Sequence, residues 1–168
     1  MNDRSAPMTF PWDEKLYVTA GEIVFRYKMA YSYWKYVGYF FVALIPFGLL
    51  HVIDKGSYSL LYLGTILSIY WYIVRRYMHT VRLKKHFKKE PVSKSKMVFQ
   101  IGKKGMRING NMIPWDHFTA VIVHPKGFLL ERPEGYPYLP ATAFADDEAV
   151  EAFMDILAQR DIPIRMVK

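Results

Sequence analysis

At 168 residues with a net charge of +8, the chain has room for a membrane segment and one small domain, and little else. The absence of cysteine excludes disulfides, thiolate metal sites and cysteine nucleophiles together, and it fits a reducing compartment. The charge is concentrated: residues 75–90 carry seven basic groups against Glu90 alone, while residues 1–35 and 91–168 each lie one charge from neutral.

Residues 1–12, with Pro7 and Pro11, read as a loose tail. Residues 16–18 are expected as a short strand that pairs with a later sheet. Thr19 followed by Glu22 has the capping-box spacing, in which each side chain satisfies a backbone N–H at a helix start. A juxtamembrane helix is therefore expected from near Ala20, closing the segment 1–35.

Residues 36–53 and 56–74 are then runs of 18 and 19 residues without a formal charge, separated by Asp54 and Lys55. Each is about long enough to cross a bilayer core of roughly 30 Å at 1.5 Å rise per residue. A transmembrane hairpin over 36–74 is the expectation. Its alternative is a buried hairpin in a soluble protein, although soluble helices seldom run this far without a charge. The first run starts after a mostly polar lead-in, which reads as an uncleaved anchor and not as a signal peptide. Pro46 is a candidate kink, Gly64 with Ser68 is only a weak small-residue motif and Gly48 makes none. His51 is expected near the outer interface.

Lysine and arginine are enriched in short cytoplasmic segments flanking a span. The basic stretch after the second run thus predicts a cytoplasmic C-terminal end, and a hairpin returns the N-terminus to the same side, where Arg26, Lys28 and Lys35 lie. Tyr31, Tyr33, Trp34 and Tyr36 before the first run, and Tyr70, Trp71, Tyr72 and Tyr77 closing the second, would share one interfacial belt. The expected topology is multi-pass, with both termini cytoplasmic.

The connector over 75–90 lacks glycine and proline and is expected to prolong the second helix until Pro91 ends it. Met78, Val81, Leu83 and Phe87 supply an apolar side. Arg75, Arg76, Arg82, Lys84, Lys85, Lys88 and Lys89 are the expected lipid-headgroup contacts, each contributing roughly 1 kcal/mol near an anionic leaflet. Nucleic acid is the competing anion, but no nucleic-acid motif accompanies the stretch, so membrane lipid is the expected partner.

Beyond Pro91 short alternating runs divided by turn residues predict a small antiparallel β domain over 91–168. Strands are expected at 96–101, 106–108, 118–124, 128–131 and 136–139. Asn109-Gly110 suits a hairpin turn at positive φ. Asp146, Asp147 and Glu148 open a helix whose acids favour its N-terminal dipole, and Val150, Phe153, Met154 and Leu157 recur at helical spacing as its sheet-facing stripe.

The order of lead-in helix, apolar hairpin, basic connector and strands resembles the bacterial YcxB-like proteins. The resemblance rests on two segments, Ile113-Pro114-Trp115-Asp116 and Leu139-Pro140-Ala141-Thr142-Ala143-Phe144. At Ala141 and Thr142 the chain departs from the basic residues often found there in the family. The resemblance implies an α+β membrane protein: a two-helix transmembrane hairpin plus a PH-like cytoplasmic domain closed by a C-terminal helix. It supplies no reaction, cofactor or catalytic residue. Read as residues, Trp115 anchors a core, Pro114 suits a strand start or bulge, and Phe144 packs beneath the helix.

The remaining chemistry is sparse. His51, His79, His86, His117 and His124 form no H-E-x-x-H pair, and His117 and His124 would face opposite sides of one continuous strand. Gly102-Lys103-Lys104-Gly105 lacks the length and trailing residues of a phosphate loop, and no nucleophile elbow is present. The expected function is therefore non-enzymatic, with no cofactor: an inner-membrane protein whose cytoplasmic domain binds a partner protein or lipid headgroup, as an immunity or regulatory protein would. A membrane enzyme using His79, His86 and Glu90 at the lipid interface, and a self-assembling homo-oligomer, are the alternatives.

Overall fold

Helical and extended periodicities separate along the chain, and the computed structural model, which describes residues 7–89 and 95–167, is accordingly α+β. The chain divides into two compact units: Phe25–His86, which is helical, and a β-rich unit formed by residues up to Val24 together with those from Phe87 onward. The boundary between the units at Val24 and Phe25 falls within the lead-in segment.

Helix α1 (Glu14–Tyr31) begins six residues before the expected start near Ala20. Its cap is Asp13, whose Oδ1 accepts from the Leu16 N–H at 2.8 Å. Asp13 does what Thr19 was expected to do, because a carboxylate at the N-cap satisfies the same orphan donor. Thr19 and Glu22 lie inside the helix, and residues 16–18 are helical, not extended. The strand that joins the later sheet lies instead in the expected tail, as β1 (Met8–Pro11). Its proline is tolerated because β1 is an edge strand.

In the helical unit, α2 (Trp34–Lys55) runs through Pro46 without interruption and ends at Gly56, whose φ of 65° makes the left-handed cap. α3 (Ser59–Ile69), a π-helical turn (Tyr70–Val74) and α4 (Arg75–Phe87) follow without a break. The connector does prolong the second helix. The expected stop at Pro91, and Glu90, lie outside the described residues.

α2 packs along α3 through glycines. A Cβ at Gly48 would sit 2.6 Å from the Leu61 backbone, one at Gly64 2.9 Å from the Leu44 Cβ, and one at Gly38 2.7 Å from the Trp71 indole nitrogen. The absence of a regular small-residue motif therefore did not signal the absence of close backbone approach. Glycines scattered on two helices suffice when each meets a different partner.

Among the described residues α2 is the one helix long and apolar enough to cross a membrane, and only 11% of its apolar window is buried inside the protein. The second apolar run is carried by the 11 residues of α3 and the five of the π turn.

In the β-rich unit two four-stranded sheets form, in the orders β1-β2-β3-β4 and β7-β6-β5-β8. β2 (Lys96–Gly102), β3 (Gly105–Ile108) and β4 (Asn111–Pro114) make a meander. Its Asn109-Gly110 turn takes φ of 50° and 87°, as expected for this pair. β5 (Ala120–His124), β6 (Gly127–Glu131) and β7 (Tyr138–Pro140) make a second meander. α5 (Asp147–Gln159) returns the chain to β8 (Ile164–Met166), which pairs with β5 in parallel. The sheet is therefore not purely antiparallel, because a helical crossover brings the last strand back in the same direction as β5. His117 lies in a short 3-10 turn (Trp115–His117) and not on a strand with His124. The core contains Phe99, Met106, Trp115, Phe128, Phe153 and Leu157, with Val150 and Met154 partly buried against it.

Candidate anion-binding interface at the π-helical turn

An extra residue in one helical turn shifts every side chain after it around the axis, and such turns recur at functional sites. Here the shift is registered by the Arg75 N–H, which bonds to the Tyr70 carbonyl five residues back. Arg75 follows directly and is half-buried among aromatic rings. Its guanidinium carbon lies 4.1 Å from the Trp71 ring centroid, 5.4 Å from that of Trp34 and 5.7 Å from that of Phe25. An Nη1 of Arg75 also lies 3.7 Å from the Met29 sulfur. Ring faces carry negative quadrupole density, so the cation is held by π systems in place of a carboxylate.

The supply of carboxylates explains this choice. Asp54 is the single acid in residues 25–86, and it lies in the last turn of α2. Arg26, Lys28 and Lys35 before the first apolar run, and Arg75, Arg76, Arg82, Lys84 and Lys85 after the second, have no acid of the unit interspersed among them in sequence. Of the seven expected headgroup residues, Arg75 is drawn into the rings, whereas Arg76, Arg82, Lys84, Lys85, Lys88 and Lys89 are exposed. Sequence reasoning missed Arg26 and Lys35 as members of the site. The signal available was their place before the expected first span, Lys35 next to it and Arg26 ten residues ahead of it.

Two cavities open beside the π-helical turn. The larger, about 370 Å³, is lined by Arg26, Lys35 and Arg76 together with Met29, Tyr39, Trp71 and Tyr72. The other, about 230 Å³, is lined by Tyr70, Arg75, Met78, His79 and Arg82. No acidic residue lines either one. The Lys35 ammonium lies 5.0 Å from the Tyr36 ring centroid. The Trp71 indole N–H and, one turn earlier, the Ser68 hydroxyl are buried without a hydrogen-bond partner.

The histidines do not converge. His79 stacks on Phe25 at 4.6 Å between ring centres, and His86 is exposed. The third member of the expected enzyme set, Glu90, is outside the described residues. Among the described residues no three histidines and acids come together as a metal site would require.

In the β-rich unit the motif residues are structural. Trp115 is buried and its indole N–H donates to the Gly102 carbonyl at 3.0 Å, tying the 3-10 turn to the end of β2. Pro114 ends β4, exposed like Asp116, and Pro140 ends β7 in the core. Phe144 packs edge-on to Phe128 and tilted against Phe153 of α5, as expected. Tyr138 is buried and donates to the Lys126 carbonyl at 2.6 Å, and burial pushes its phenol up to about 12. Tyr136 is also raised, by burial and then by the Glu131 carboxylate it hydrogen-bonds at 3.3 Å. An apolar cleft of about 450 Å³ lies between β1 and α5, lined by Met8, Ala143, Ala149, Ala152 and Ile156 among others. No family model matches the chain, and neither a curated protein nor a solved structure matches it.

Proposed function

We propose that this chain is a non-enzymatic bacterial inner-membrane protein, held by a two-helix hairpin with both termini cytoplasmic, whose β-rich unit is a PH-like module that binds a partner protein or lipid headgroup. The two segments around Trp115 and Phe144 support kinship with the YcxB-like proteins. The observation that carries the membrane reading is the surface of the helical pair. Phe40, Phe47, Leu50, Ile53, Leu63 and Ile66 are all at least half exposed on helices that carry no charge between Tyr36 and Ile53 or between Gly56 and Val74. An apolar surface of this extent in water would drive aggregation, whereas in hydrocarbon it is the solvated face.

The second helical run supports two crossings even though the π turn divides it. A π turn keeps its backbone N–H groups bonded within the helix, so α3 and the turn together offer 16 uncharged residues (59–74), most of them apolar, with no broken hydrogen-bond ladder. Placement of the cations follows the positive-inside tendency. The test is alkaline carbonate extraction of cell membranes combined with reporter fusions. The chain is expected to remain in the pellet, and reporters at residue 168 and before residue 7 should both register as cytoplasmic while one inserted at Gly56 registers as external. Release into the supernatant would overturn the reading.

A further inference from the structure

We propose that the 370 Å³ cleft between the end of α1, the start of α2 and the π-helical turn is a binding site for a single anionic phospholipid, with the headgroup phosphate held by Lys35 and Arg76. The inference rests on the membrane reading above and deepens it: it assigns a discrete lipid site where that reading requires only a charged surface. Three features of the cleft select this ligand.

The first is charge. Lys35 and Arg76, with Arg26, come from three different helices to line one cleft, and no carboxylate lines it. Neither Lys35 nor Arg76 has an ion-pair partner among the described residues. An ammonium and a guanidinium on separate elements can hold two oxygens of one phosphate, which surface lysines along a single helix face do less well.

The second is the apolar remainder of the lining. Met29, Ala30, Tyr39, Trp71 and Tyr72 present hydrocarbon and ring surface beside the cations. A small soluble ester such as glycerol 3-phosphate has nothing to place there, whereas a glycerolipid brings its acyl chains with its phosphate. The third is continuity. Tyr39 and Tyr72 are exposed and lie on the same helices, α2 and the π turn, whose apolar sides continue away from the cleft. Arg75, held by the rings of Trp71, Trp34 and Phe25, adds a fixed positive charge from the neighbouring turn without occupying the cleft.

The experiment uses the full chain purified in a neutral detergent and mixed with phosphatidylglycerol or phosphatidylcholine, with bound lipid counted by native mass spectrometry. Each engaged cation contributes on the order of a fivefold factor, so a preference of about 25-fold for the anionic lipid is expected, saturating at one tight copy. Lys35→Gln with Arg76→Gln should abolish the preference. Lys84→Gln with Lys85→Gln, equal in charge change but outside the cleft, should keep it. Equal retention of the two lipids by the unmutated protein would overturn the proposal without any variant. So would loss of preference in both double variants alike, which would indicate diffuse charge. Glycerol 3-phosphate binding as tightly as the diacyl lipid would show a soluble ester as ligand and also overturn it. A chain extracted into the carbonate supernatant fails the membrane reading itself. A chain that stays in the pellet but shows no lipid preference fails only the site.

Discussion

Gly48→Ala tests the contact that holds the helical pair together. A methyl at Gly48 would lie 2.6 Å from the Leu61 N and Cα and 3.0 Å from the Leu60 carbonyl carbon. Comfortable carbon contacts are about 3.5–4.0 Å, so α2 and α3 must part by about 1 Å. The obstructing atoms are backbone, and no rotamer change relieves them. Overpacking of this kind costs about 1–3 kcal/mol, whereas alanine gains about 1 kcal/mol over glycine from helix propensity. The steric term wins, and the variant should lose up to about 2 kcal/mol. Gly56→Ala makes a useful contrast. Nothing lies within 4 Å of its added methyl, but its φ of +65° is left-handed, so about 1–2 kcal/mol is lost with the helix contact intact. Unfolding of both variants in one detergent, followed by circular dichroism, gives the two losses. Site-directed spin labels on α2 and α3 should then report a wider separation for Gly48→Ala alone. A Gly48→Ala protein more stable than the parent, with an unchanged spin-label separation, would refute the close packing.

Two further outcomes follow from the charged and titrating groups. Arg75→Lys keeps the charge but loses the planar face that stacks on Trp71 at 4.1 Å. About 0.5–2 kcal/mol of helical-unit stability should go with it, with a shift in tryptophan emission that Arg82→Lys does not produce; equal spectra for both variants would argue against the ring cluster. For Tyr138, the folded pKa of about 12 lies above the ordinary phenol value of 10.0, so the unfolded chain ionises first as pH rises. The neutral buried phenol therefore contributes its full stability below pH 10, and that contribution is lost between pH 10 and about 12, by about 2–3 kcal/mol. Tyr138→Phe should cost about 1 kcal/mol at neutral pH through the lost bond to Lys126. It should flatten the alkaline part of the stability profile, and an unchanged profile would count against the burial argument.

The parts legible in the sequence are those that short-range chemistry decides. Charge-free length marked both helical runs, Asn109-Gly110 marked a hairpin, and Asp146 marked the start of α5, where its Oδ1 accepts from the Ala149 N–H at 2.8 Å. The candidate site was half legible. The row from Arg76 to Lys89 was visible as a run of cations, but Lys35 and Arg26 join it only because three helices converge. Arg75 leaves the row because three rings from α1, α2 and the π turn surround it.

Taken alone, the sequence determined the periodicities, the turns and the asymmetry of charge, because each depends on residues within a few positions of one another. Tertiary structure decided the rest. β1 is a strand only because β2 offers its edge to residues 8–11, with Met8 opposite Phe99 and Pro11 opposite Lys96. β8 runs parallel to β5 only because α5 carries the chain back. Gly48 and Gly64 act as packing surfaces only because Leu61 and Leu44 lie opposite them. Local propensity cannot encode such partners, since the free energy that selects them is gained by surfaces distant in the chain that meet on folding.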